Sequence, residues 1–326
     1  MSRGTHEART VTLARRPSGV PVRTTVHTYE GHSGGPTIYV QAAQHGREVN
    51  GTEVLRRFHD RLDPADLSGT VVAVPVANPL TFDLVSYTTP EAIDSVNANM
   101  NRVWPGDADG SIHQQMAARL WEFVEDADAV VDLHTGNEDM LTHVVHRQGH
   151  GPSRELAAAF GTELALAEPA DDAASDEWHR RGFAGKLRVA AVEAGIPAIT
   201  PELAHARVID DEAVETGVEG LFRVLRSLGL LEGSVEPVEQ TVARNHLGRV
   251  KANAAGIYRP AVALELGQFL PAGADLGRVY DPGTYAVRHD VSADREGILY
   301  AIRRKATVNE GDQLASVAIP IDDADE

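Results

Sequence analysis

Thr37-Ile-Tyr-Val-Gln-Ala-Ala43 runs straight into Gln44-His45-Gly46-Arg47-Glu48, and the reading of this junction decides the fold. The first seven residues have the composition of a short strand entering a buried sheet. Beyond the junction, Val54, Leu55, Phe58 and Leu62 recur at helical spacing, which predicts a helix over 49–62. A histidine and a glutamate three residues apart therefore stand at the C-terminal end of a strand, the edge where open α/β sheets bind ligands. Gly46 is expected to let the backbone turn sharply, so that both side chains aim at one spot. Such a pair supplies two ligands of a His₂Glu catalytic zinc, which needs one further histidine and leaves a position for water. The plain alternative is a solvated loop histidine and a helix-start glutamate favoured by the macrodipole. With 14 His and 48 Asp+Glu in the chain, His-x-x-Glu alone arises easily by chance.

Outward from the junction, strand-like and helix-like runs alternate. Residues 1–36 predict an edge strand and a turn. Further buried strands are expected over 70–76, 129–134 and 196–203, and helices over 112–125, 154–166, 183–194 and 214–228. Residues 80–110 form a loop long enough to be functional or disordered, and 171–177 an acidic loop. The pattern predicts an α/β fold with a mixed, mainly parallel central sheet and helices on both faces. A linker at 232–240 carries Gly233, Ser234 and Pro237. The runs after it (257–268, 277–280, 297–303, 313–319) are short, β-like and punctuated by glycine. The expected organisation is an α/β catalytic domain over 1–236 and a small C-terminal all-β domain over 241–326.

The third ligand candidate is His134, closing Val-Val-Asp-Leu-His. Alone it reads as a satisfied polar residue. With His45 and Glu48 it completes a metal set, provided that the two strands are near neighbours. His143 and His146 compete for this place and are read as facing one way on a strand, lining a pocket at best. In Asn101-Arg102-Val-Trp-Pro-Gly106, Arg102 suits bidentate grip on a substrate carboxylate and Asn101 adds directional hydrogen bonds. The bland reading of Arg102 is a surface charge. Glu202, ending Ile-Pro-Ala-Ile-Thr-Pro-Glu, is the preferred general base and acid for a zinc hydrolase. Glu265 in Ala-Leu-Glu-Leu-Gly is its rival, and an exposed strand-end charge is the neutral reading of Glu202.

Taken together, His45-Gly-Arg-Glu48, Asn101-Arg-Val-Trp-Pro-Gly106, Asp132-Leu-His134-Thr-Gly and Thr200-Pro-Glu202-Leu resemble the succinylglutamate desuccinylase/aspartoacylase family of zinc-dependent amidohydrolases. The motifs stand in the family's order over about residues 37–230. The tail, with Gly256-Ile-Tyr-Arg-Pro and Gly311-Asp-Gln-Leu-Ala, is similar to the β domain these proteins carry. The resemblance implies a zinc carboxypeptidase-like fold and one Zn²⁺ per chain on His45, Glu48 and His134. It makes Glu202 the proton shuttle, and Asn101 and Arg102 the grip on the substrate carboxylate. It also implies an arginine ahead of Asn101 that polarises the scissile carbonyl. Here Asn78-Pro79 is followed by Leu80 and no arginine occurs until Arg102, which leaves Arg47, Tyr87 or the metal for that task.

Composition narrows the rest. Without cysteine there is no thiol nucleophile, disulfide or thiolate metal site. A net charge of -18 argues against non-specific nucleic-acid binding. No apolar run reaches the roughly 20 residues that span a bilayer, and the first residues lack a secretory pattern, so a cytoplasmic protein without a membrane partner is expected. The expected function is hydrolysis of an N-acyl amino acid or related small N-acyl compound. Two alternatives remain: a metallocarboxypeptidase on the same scaffold, and a degenerate metal-binding protein without turnover. A homo-oligomer is compatible with all three.

Overall fold

The computed structural model describes residues 4–136, 139–170, 174–245 and 249–322. The chain opens with a long antiparallel hairpin, β1 (Thr5–Arg15) and β2 (Pro21–Glu30), where the sequence predicts one edge strand. Then come β3 (Ser33–Ala42), α1 (Asn50–Arg61), β4 (Ser68–Val74), α2 (Pro79–Asp83), α3 (Ile112–Val124) and β5 (Ala129–Gly136). The short β6 (Asp139–Met140) and β7 (His143–Arg147) lead to α4 (Gly151–Phe160) and β8 (Leu164–Glu168). The α/β part closes with α5 (Asp176–Arg180), α6 (Leu187–Glu193), β9 (Ala198–His205) and α7 (Asp211–Ser227).

The helix expected over 154–166 ends early. Gly161 adopts the left-handed conformation (φ 87°) that stops α4, and Leu164-Ala-Leu-Ala-Glu168 forms a strand. A short apolar run is ambiguous between the tail of a helix and a buried strand, and the sheet decides it. Part of the acidic loop, residues 171–173, lies outside the described residues.

In the sheet, β4, β3, β5 and β9 lie side by side and parallel, and β7 joins β9 antiparallel. Alternate side chains point to opposite faces. On β3, Ile38, Val40 and Ala42 pack in one core with Val54, Leu55 and Phe58 of α1 and with α4 and α7. Tyr39 points into a second core built on α3 and α6. Helices therefore cover both faces. Burial of the Val54, Leu55 and Phe58 side chains contributes about 1.5–3 kcal/mol each.

After α7 the chain is built of strands. β10 (Thr241–Arg244), β11 (Arg249–Lys251), β12 (Gly256–Pro260), β13 (Phe269–Leu270) and β14 (Asp275–Tyr280) come first. β15 (Val287–Ser292), β16 (Gly297–Ile302), β17 (Thr307–Val308) and β18 (Gln313–Pro320) follow. β15-β14-β12-β17 form a separate four-stranded antiparallel sheet. β10 instead pairs parallel to β8, and β18 pairs with β10, so hydrogen bonding runs without a break from the α/β sheet into the tail.

Candidate active site

β3 and β5 are direct neighbours, and the turn after β3 brings His45 and Glu48 to the end of β5, where His134 stands. One ligand atom from each of these three residues lies within 4.8 Å of the others. All three are buried, at 2%, 4% and 4% exposed. The turn is pinned by the Ala77 and Asn78 N–H groups, which donate to the carbonyls of Ala42 and Ala43 at 2.9 and 3.2 Å. Ala43, not Gly46, takes the positive φ (49°). Gly46 is required for a different reason: a Cβ there would sit 2.0 Å from the Thr81 carbonyl oxygen.

The donors are oriented by their neighbours. His45 Nδ1–H points at the Tyr87 carbonyl oxygen at 2.8 Å, which leaves Nε2 bare toward the site. The Tyr87 ring stacks on His45 at 3.9 Å and the Arg47 guanidinium covers it at 4.6 Å. His134 Nδ1 faces Glu48 Oε2 at 2.9 Å, and its Nε2 is held by Asp132 Oδ2 at 2.9 Å. Asp132 and His134, two apart on β5, share one face, and Gln41 and Gln44 donate to Asp132 from behind at 2.9 and 3.2 Å. A carboxylate behind a ligating histidine is a recurrent metal-site support. Burial pushes the Glu48 carboxyl up, yet the His45 and His134 imidazoles outweigh it and hold it below the ordinary value. Two imidazoles and a buried carboxylate at this spacing are a donor set that fits Zn²⁺.

Glu202 is the register partner of His134 across β5·β9. Burial raises its carboxyl to about 7, and Glu48 and Asp132 add to the rise. On its other side His143 pairs with it, with burial lowering that imidazole to about 4 and Nδ1 bonded to the Leu141 carbonyl. His143 lines the cavity and His146 does not. Residues three apart on a strand face opposite ways, which corrects the expectation that the two histidines share a face. Glu265 is exposed in the tail, away from the cavity lining.

Asn101 and Arg102 also line the cavity, which measures about 390 Å³. Asn101 Nδ2 approaches His134 Nε2 at 3.4 Å, while its Oδ1 accepts from the Leu187 N–H at the start of α6. Arg102 lies over the Phe183 ring at 4.5 Å. The long loop before them is ordered by Asp94, whose carboxylate accepts from Val96, Asn97, Ser111 and His113. Glu168 meets Lys186 at 2.8 Å and also pairs with Arg188. Burial raises the Glu168 carboxyl but these cations overcome it, to about 2. Lys186 falls to about 8, because it is desolvated and shares the Glu168 carboxylate with Arg188. Arg188 is 2% exposed, and its Nε and Nη1 have no hydrogen-bond partner among the described residues.

Several of these groups were not singled out in the sequence. Asp132 had a local signal, the i, i+2 spacing to His134. The contributions of the tail, among them Arg249, Tyr300, Arg303 and Lys305, had none, because they reach the cavity only through strand pairing.

A mixed α/β sheet with a buried His₂Glu cluster at its strand ends defines a class of hydrolase-like folds, and the comparisons specify it. The description "Succinylglutamate desuccinylase/Aspartoacylase catalytic domain" matches residues 34–228, and the chain belongs to that family. It is 29% identical over 303 residues to the N-alpha-acetyl-L-2,4-diaminobutyric acid deacetylase of Halomonas elongata, covering 87% of this chain and 82% of that one. Among solved structures, a succinylglutamate desuccinylase from a Silicibacter species superposes with a TM-score of 0.83 at 21% identity, over 98% of this chain and 96% of that one. The product-bound ectoine utilization protein EutE (DoeB) of Ruegeria pomeroyi gives 0.83 at 22% identity, with the same coverage. These likenesses extend over the tail and establish a shared fold.

Proposed function

We propose that this chain is a zinc-dependent amidohydrolase that removes the acyl group from an N-acyl amino acid or a related small N-acyl compound. The convergence of His45, Glu48 and His134 beside Glu202 carries this reading. The deacetylase named for the Halomonas relative agrees with it. His45 Nε2, Glu48 and His134 Nδ1 would hold one Zn²⁺ per chain on a zinc carboxypeptidase-like scaffold. When bound, the ion supplies Lewis-acid polarisation of the acyl carbonyl and makes an adjacent water more acidic. Glu202, with a carboxyl near neutrality, takes a proton from water and returns it to the leaving amine.

The rest of the cavity selects the substrate. Among the described residues, eight basic side chains line it (Arg47, Arg102, Arg181, Lys186, Arg188, Arg249, Arg303, Lys305) against three acidic ones (Glu48, Glu168, Glu202). In a chain of net charge -18 this concentrates positive potential at one place and favours a substrate with a free carboxylate. Asn101 and Arg102 hold that carboxylate, and the Arg188 guanidinium, paired with Glu168 in the cavity wall, adds positive charge behind it. The volume suits a single acyl amino acid. A cytoplasmic location, with no nucleic-acid or membrane partner, completes the proposal. Among the described residues no helix is long and apolar enough to cross a membrane.

The test is metal content by elemental analysis for wild type and His134→Ala, followed by a panel of acyl amino acids. The expected result is zinc at the site, lost in the variant, and turnover of short N-acyl substrates. No metal at His134 after incubation with zinc would overturn the reading.

A further inference from the structure

Far along the sheet from the cavity, at the N-terminal hairpin, three further histidines converge. His6 lies on β1, His27 on β2 and His59 in the last turn of α1. One ring nitrogen from each lies within 4.8 Å of the others. His6 Nε2 and His27 Nδ1 face each other at 3.0 Å, and the two rings are nearly parallel. The His59 ring lies 4.8 Å from His6, centre to centre. His59 Nδ1 is engaged by the Tyr29 hydroxyl at 2.9 Å, and with that nitrogen as donor Nε2 is left bare.

We propose that His6, His27 and His59 form a second metal site, taking a borderline divalent cation such as Zn²⁺ and fastening the β1–β2 hairpin to α1. The donors come from three separate elements, and the fold brings them together without a carboxylate in the group. Imidazole is the ligand type that suits zinc, copper and nickel. In a tetrahedral site with Zn–N bonds near 2.0–2.1 Å, ligand nitrogens stand roughly 3.3 Å apart, close to the His6–His27 spacing. Partial burial and mutual repulsion hold His6 and His27 below the ordinary imidazole value, which keeps them in the form that binds metal. Tyr29, stacked on His6 at 4.5 Å and bonded to His59, sets both rings from the side. The strongly negative net charge of the chain adds a general attraction for cations.

The experiment loads tag-free full-length protein with Zn²⁺, dialyses it and counts zinc per chain in wild type, His27→Asn, His134→Ala and the double variant. Two, one, one and none are the expected values. Equal counts in wild type and His27→Asn would overturn the second site and leave the cavity site standing. Loss in His27→Asn without loss in His134→Ala would overturn the cavity site alone. Melting supplies a readout independent of activity. Zinc should raise the melting temperature of His134→Ala by several degrees and leave the double variant unmoved. An equal rise in both would again overturn the proposal.

Discussion

Glu202 and His134 are register partners on adjacent parallel strands, so the carboxylate and the imidazole are fixed side by side by backbone hydrogen bonds. The placement does not depend on loop packing, and a carboxyl-to-amide change leaves it intact. On the proposed mechanism Glu202→Gln should therefore fold and bind zinc as wild type does, while kcat falls by about 10²–10⁴-fold. Steady-state kinetics alongside metal analysis check this. A rate within tenfold of wild type would remove Glu202 from proton transfer.

Asp132 holds His134 Nε2 at 2.9 Å, and the proposed metal site would depend on that hold. Asp132→Asn keeps the shape but weakens the hold on Nε2, and zinc affinity should drop by about 10–100-fold. Competition with a chelator measures the loss, and unchanged affinity would refute the supporting role.

Gly46 packs directly on the Thr81 carbonyl. Gly46→Ala must push the turn away from α2, at a cost of about 1–3 kcal/mol, and should loosen the proposed metal site that the turn carries. Denaturant midpoints report the first effect and zinc retention the second.

Glu168 gives a pH signature. Its folded carboxyl titrates near 2 rather than at the ordinary 4.5, so its stabilisation is present above about pH 4.5 and fades as pH falls toward 2. Glu168→Gln should flatten the dependence of the urea midpoint on pH across that window. At neutral pH it should cost about 3 kcal/mol, because Lys186 and Arg188 lose their partner. A variant that keeps the wild-type slope would show the pairing to be unimportant.

Arg249 reaches the cavity from β11. If it attracts the substrate anion without touching the reacting bond, Arg249→Gln should raise KM several-fold and spare kcat. The effect should shrink as ionic strength rises. An unchanged KM at low salt would exclude the contact.

The metal-type donors were legible because His45 and Glu48 lie at a strand end and His134 closes an unmistakable buried strand. The roles proposed for them rest on chemistry that only a few side chains can perform. Other features resisted for physical reasons. The β1–β2 hairpin is amphipathic along only part of its length, since residues 5–10 are all exposed, so half of β1 carries no alternation to read. β8 has the composition of a helix end, and only its pairing with β7 and β10 makes it a strand. The basic cavity wall is assembled from side chains up to 200 residues and more from the ligands, and no local pattern records such contacts.

The residues that line the cavity run from His45 to Ser316 in the sequence, so the α/β sheet and the strands after α7 build it together. A chain emerging from the ribosome acquires His45, Glu48, His134 and Glu202 well before β16 and β18 exist. β16 and β18 thus add their part of the cavity wall after those residues are in place. A nascent or truncated chain would hold the reactive groups in an open groove, without the tail's arginines to select what reaches them.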